Sequence, residues 1–254
     1  MSASALLDLL VLGIHLYEPF RHIVAVATGV YINAPDPYFL DGTHKDGMGY
    51  DEEQWGKPRW EWIAQARQQI YDQTYHKIAS MGWQFCPIEP YNGGPDSIIE
   101  PISEHLQEYE YVLATYLGTG TQAAYRGTRL YDPAVPASKL MVAKWVRWFK
   151  QYRVILNCDI IHVRRPGLND IDAMLHVNAN LTRTEDRGML IIWNQTPQQR
   201  MTELRVPLYY TGLQRTASVS FEGASPMTYT LSRDYSIILN VSLPSMSLTW
   251  ALIK

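Results

Sequence analysis

The chain has 254 residues, 46% of them hydrophobic and 19% charged, with a formal net charge of −3. Such a length fits one large domain or two smaller ones, and the composition is that of an ordinary globular protein. The small negative balance gives no electrostatic case for nucleic acid, and no stretch is long and apolar enough to suggest a membrane span.

The most apolar run, Ala5 to Leu16, is broken by Asp8 and His15. It lacks the basic leader and small-residue cleavage site of a signal peptide, so it reads as an amphipathic or buried helix. Pro19 can open a helix through Ala27, with Gly29 where a C-terminal cap is expected. Val30-Tyr31-Ile32-Asn33 then reads as a buried strand ended by Ala34-Pro35-Asp36. Beyond a polar segment, Pro58 opens a helix whose Ile63, Ala66, Ile70, Thr74 and Ile78 recur at helical spacing. Met81 to Pro87 is a second strand, closed by Tyr91-Asn92-Gly93-Gly94-Pro95. The next helix sets Ile102, Leu106, Tyr109, Leu113 and Tyr116 on one face, and Gly118 can cap it. Thr121 to Tyr125 is a third short strand. A last helix puts Met141, Trp145, Trp148, Phe149 and Tyr152 on one stripe, leaving Lys144, Arg147 and Lys150 to water.

Three strand–loop–helix units in series imply parallel strands with right-handed crossovers. They are too few to close a barrel and look like the end of one.

Near Leu156 the pattern changes. Short runs follow at Ile160–Arg164, Ala173–Val177, Gly188–Trp193, Met201–Val206, Ala217–Phe221, Thr228–Leu231, Ser236–Val241 and Ser247–Ile253, separated by turn residues. No helical spacing interrupts them, which is the signature of an antiparallel sandwich. The fold class is therefore α/β plus all-β, with residues 1–155 as the last units of a (β/α)8 (TIM-type) barrel and 156–254 as a C-terminal β-sandwich. His162 and His176 fall in these strands and read as structural. Cys86 and Cys158 have no metal-type spacing and read as free buried thiols. No cofactor or metal site is indicated. Eight Trp and seventeen Tyr suit either a well-filled core or stacking against sugar rings. The sequons at Asn180, Asn194 and Asn240 decide nothing by themselves.

The run WVRWFKQYRVILNCDIIHVRRP, with MLHVN, GMLIIWNQT and LRVPLYYTGL after it, resembles the barrel-to-sandwich junction of α-galactosidases (melibiases). There a Lys/Arg-Tyr-Arg element leads into a sheet closing with a Leu-x-Gly-Leu-like strand. The upstream blocks YINAPDPYFLDGTHKDGMGY, SMGWQFCPIEPYNGG and YRGTRLYD look like an uncharacterised branch of such hydrolases. The resemblance runs from about residue 17 to the end, and it implies a glycoside hydrolase acting on, or a protein binding, a poly- or oligosaccharide. It also implies that full-length relatives are secreted or periplasmic. In that family the nucleophile is an Asp in a Lys-x-Asp element on the fourth barrel strand, and nothing of that kind precedes Val30. The expectation is a fragment or truncated product with little activity of its own. Its open edge would invite self-association or a missing N-terminal barrel half.

Barrel active sites form on the loops after the strands. Glycoside cleavage needs two carboxyl groups, one acid and one nucleophile or base. Asp36, directly after the first strand, is the preferred acid/base, and Glu52 is the second candidate. An Asx-type turn after Pro35 is the plainer account of Asp36, and a solvated loop carboxylate that of Glu52. If the three units are strands six to eight, the acid/base of the α-galactosidases also lies after the first of them, though the local motif around Asp36 departs from theirs. Lys45 and Arg59 could hold sugar hydroxyls or a uronic carboxylate, and Tyr50 and Trp55 could line or stack on a ring. Glu89, Tyr91 and Asn92 occupy the second loop, and Arg126 follows the third strand, where a pair with Asp132 competes with a ligand role. Nucleophile-elbow, zinc-protease, Walker and dinucleotide motifs are missing from the sequence.

Overall fold

The computed structural model describes residues 101–119, 131–167, 169–179 and 185–254. The strands expected at 30–33, 81–87 and 121–125, and the helices opening at Pro19 and Pro58, lie outside the described residues.

Helix α1 (Ile102–Gly118) buries Ile102, Tyr109 and Leu113, as its spacing predicts, together with Val112 and Ala114. Its end differs from expectation. Gly118 is the last helical residue, and the cap is Thr119 in an ordinary right-handed conformation whose backbone N–H donates to the Thr115 carbonyl at 3.0 Å. The glycine serves close approach, not a left-handed turn. A Cβ there would meet Ile191 at 3.3 Å and Trp193 at 3.4 Å. The bare backbone also lets the Gly118 carbonyl sit 2.8 Å from Nε2 of His176.

Helix α2 (Pro136–Leu156) starts on a proline, whose fixed φ and missing N–H suit a first turn. Met141, Val142 and Trp145 are buried; Trp148, Phe149 and Tyr152 are half-buried; Lys144, Arg147 and Lys150 are exposed. The helix closes when the Asn157 N–H donates to Arg153 at 3.1 Å. Cys158, expected to be buried, is half-buried, and its Sγ donates to the Val154 carbonyl at 3.2 Å.

Eight strands follow: β1 (Asp159–Arg164), β2 (Asp172–Val177), β3 (Gly188–Asn194), β4 (Arg200–Pro207), β5 (Thr216–Phe221), β6 (Met227–Thr230), β7 (Ser236–Leu243) and β8 (Ser247–Ile253). Each overlaps one of the eight short runs in the sequence. All pairings are antiparallel, in a six-stranded sheet ordered β1-β2-β3-β8-β5-β6 and a two-stranded sheet β4-β7. The chain leaves the large sheet after β3 and after β6, and returns through β8 between β3 and β5. That exchange makes a sandwich. The LRVPLYYTGL segment ends in a 3-10 turn at Tyr209–Thr211, with Gly212 left-handed at φ 73°, so its Leu-x-Gly-Leu-like end is a turn and not a strand.

Three layers result, and side-chain alternation builds them. On β2, Ala173, Leu175 and Val177 face the small sheet while Met174 faces the helices. On β3, Leu190 and Ile192 point inward, and Met189, Ile191 and Trp193 point at α1 and α2. These strands are buried along their whole length because both faces are covered. β7 alternates buried and exposed positions, since only its inner face is covered. Each buried Leu or Ile stabilises the sandwich by about 1.5–3 kcal/mol.

Candidate functional site

A cleft of about 390 Å³ opens where the helix layer meets the turn between β7 and β8. Its floor is aromatic. Trp148 of α2 packs edge-on against Trp145, with centroids 5.2 Å apart at 72°, and lies 6.1 Å from Trp250 of β8. Tyr152 holds Trp250 from behind at 4.7 Å. The i, i+3 and i+4 spacing on α2 puts Trp145, Trp148 and Tyr152 on one face, while the β8 alternation turns Trp250 toward them.

Two carboxylates line this floor. Oε1 of Glu110 on α1 accepts from Nζ of Lys144 at 2.7 Å and from Nε1 of Trp145 at 2.8 Å. Lys144 also lies over the Trp145 ring, 5.0 Å from its centroid. A residue expected to be merely solvated therefore fixes the Glu110 carboxylate. Glu222 stands on the turn after β5 with φ 48°, a left-handed conformation uncommon outside glycine. Its backbone N–H donates to the Trp250 carbonyl at 3.1 Å, and its Oε1 accepts from Oγ1 of Thr249 at 2.9 Å. Both acceptors are thus held before any ligand arrives.

The remaining wall is the β7–β8 turn, stapled from inside by Asn194. Its Nδ2 lies 3.0 Å from the Leu243 carbonyl, 2.6 Å from that of Pro244 and 2.8 Å from that of Gln198. Its Oδ1 accepts from the Thr196 N–H and hydroxyl. Asn194 is fully buried and its amide nitrogen is committed, so this sequon is a structural device. Past Glu222 the cleft runs into an open groove of about 850 Å³ between β6 and β7, which shares Pro244, Ser247 and Leu248 with it.

The loop residues expected to act, Asp36, Lys45, Tyr50, Glu52, Trp55, Arg59, Glu89, Tyr91, Asn92 and Arg126, all lie outside the described residues. Asp132, the alternative partner of Arg126, is described: its Oδ1 accepts from the Ala134 N–H at 2.9 Å. The sequence reading found the α2 stripe but missed Glu110, Glu222 and Trp250 as neighbours. They belong to three elements far apart in the chain, and no local spacing links them. Among the described residues no group of His, Cys, Asp and Glu is arranged to hold a metal ion. No described helix is long and apolar enough to cross a membrane.

No family model matches the sequence, and no curated protein matches it. Solved structures do. An α-amylase from Geobacillus thermoleovorans, complexed with acarbose, aligns over 88% of this chain and 52% of its own at 13% identity, with a TM-score of 0.52. A candidate α-N-acetylgalactosaminidase from Bacillus halodurans aligns over 77% of this chain and 42% of its own at 14% identity and TM-score 0.48. A β-L-arabinopyranosidase from Geobacillus stearothermophilus gives 77%, 42%, 11% and 0.47. The chain thus spans about half the length of these proteins or less. At such identity the amylase likeness is one of fold: this chain has a glycoside hydrolase-like fold.

Proposed function

We propose that this chain is a glycoside hydrolase-like protein that acts on or binds a poly- or oligosaccharide. The fold it shares with the amylase carries the reading. The aromatic cleft with fixed acceptors is in keeping with it. In this reading the loop after the first predicted strand supplies the chemistry. Asp36 protonates the leaving glycosidic oxygen, and Glu52 is the second carboxyl group. Lys45, Tyr50, Trp55, Arg59, Glu89, Tyr91, Asn92 and Arg126 hold the sugar. The resemblance to α-galactosidases, read from the junction motif, supports a barrel before the sandwich, and Asp36 is proposed from its place directly after a predicted strand.

A second reading, sugar binding without cleavage, is favoured by Glu110. Its Oε1 already receives two N–H donors, which suits a fixed acceptor better than a proton donor. The test is a panel of aryl glycosides and oligosaccharides offered to the full chain. Turnover that falls about 100-fold or more in Asp36→Asn supports the catalytic reading. Turnover untouched by Asp36→Asn removes that residue from the mechanism. Binding without any turnover leaves the second reading standing, and neither binding nor turnover ends the carbohydrate reading.

A further inference from the structure

We propose that the cleft between α1, α2 and the β7–β8 turn is a binding subsite for a neutral oligosaccharide. The inference rests on the carbohydrate reading above and adds a place and a ligand class to it.

Sugars present weakly apolar C–H faces and a rim of hydroxyls, so they need ring surface beside fixed polar acceptors. The cleft offers both. The half-buried Trp148 and the indole of Trp250 give ring surface, and neither can swing away, because Trp145 and Tyr152 pack against them. Carboxylates take hydroxyl donors well, since they only accept and their charge shortens and strengthens the bond. Glu110 is set by Lys144 and Trp145, and Glu222 by Thr249 and the β8 backbone. Such preset acceptors lower the ordering cost of binding a flexible, hydroxyl-rich ligand.

Charge narrows the class. Lys144 offsets Glu110, which leaves the Glu222 charge in excess at the rim. A uronate or a sulfated sugar would meet a like charge there, whereas a neutral sugar would not. Length narrows it again. The cleft continues past Glu222 into the groove beside β6 and β7, so several linked units fit better than one.

The test is titration of the full chain with maltohexaose, cellohexaose, xylohexaose and mannohexaose. Tetragalacturonate is the charged control. Calorimetry reports binding, and intrinsic tryptophan fluorescence reports the cleft. At least one neutral hexaose is expected to bind and to change the fluorescence. Trp148→Ala and Glu222→Gln are each expected to weaken that binding by about tenfold or more, a loss near 1.4 kcal/mol. Should Trp148→Ala fail to fold by circular dichroism, the exposed Glu222→Gln carries the test alone. Tyr209→Ala is the control. Its ring is exposed beside Tyr210 and Tyr235, at the other end of the small sheet. That end lies about 23 Å from the Leu243 end, at roughly 3.3 Å per residue along the strand. Binding lost in Tyr209→Ala and kept in both cleft variants overturns the assignment. So does binding with no change in fluorescence, or tetragalacturonate bound more tightly than every neutral hexaose. If the unaltered chain binds none of the probes, the carbohydrate reading falls with it. If it binds and the cleft variants match it, only the cleft is wrong.

Discussion

The two faces of the large sheet are packed from different materials. Toward the small sheet, the fully enclosed residues are aliphatic: Leu175, Leu190, Ile192, Leu204, Val206 and their neighbours. Toward the helices, aliphatic residues such as Ile102, Leu113, Ile155 and Ile191 share the buried layer with Tyr109, Trp145, Trp193 and Trp250 and with Met141, Met174, Met189 and Met246. Branched aliphatic chains interdigitate closely between two sheets. Large rings and flexible methionines fill an irregular space less evenly, and they bring N–H groups that need partners. The cleft and the fixed carboxylates lie on the aromatic face. The aliphatic face holds the fold together, and the aromatic face has room for a ligand.

Neighbouring residues on β3 can break this comparison. Leu190 points into the aliphatic layer and Ile191 into the aromatic one. Leu190→Ala is expected to cost about 2–5 kcal/mol, at the upper part of that range, because two hydrogen-bonded sheets cannot close on the void. Ile191→Ala is expected near the lower end, since helices can settle more readily than strands held by ladders. Denaturant midpoints at unchanged m measure both, and equal costs would undo the distinction.

Asn194→Ala probes how the cleft wall is held. It strands the carbonyls of Leu243 and Pro244, an expected loss of about 1–3 kcal/mol. Hydrogen exchange should speed up at the β7–β8 turn before it does in β2. Uniform exchange across both would show that the turn does not depend on this staple.

The smallest effect concerns Tyr152, which backs Trp250. Burial, and then the charge of Asp186, push its hydroxyl above the ordinary 10.0, while the Gln151 donor pulls the other way. A raised value in the folded state means that its contribution to stability is whole below pH 10. That contribution is lost as pH rises through the folded value. Tyr152→Phe should therefore flatten the decline in melting temperature above about pH 10. An identical decline in both proteins would show that neither burial nor Asp186 raises the Tyr152 hydroxyl.

Much of the described architecture was legible in the chain. The eight runs were separated by turn residues such as Gly212 and Pro244, and the α2 stripe followed from Trp145, Trp148 and Tyr152 at helical spacing. Gly118 was misread because a glycine after a helical run has two uses, and only the presence of Ile191, Trp193 and His176 selects close approach over a cap. The double burial of β2 and β3 was equally hidden, for a run such as GMLIIW is apolar throughout and does not say what lies on either side.

Local periodicity and turn chemistry act over a few residues, so among the described residues the sequence alone determined the two helices, the run of strands after them and the change from one to the other. Convergence of Glu110, Trp148, Glu222 and Trp250 depends on the stacking of layers and on β8 entering between β3 and β5. Those contacts join residues distant in the chain, and only the tertiary structure decided them.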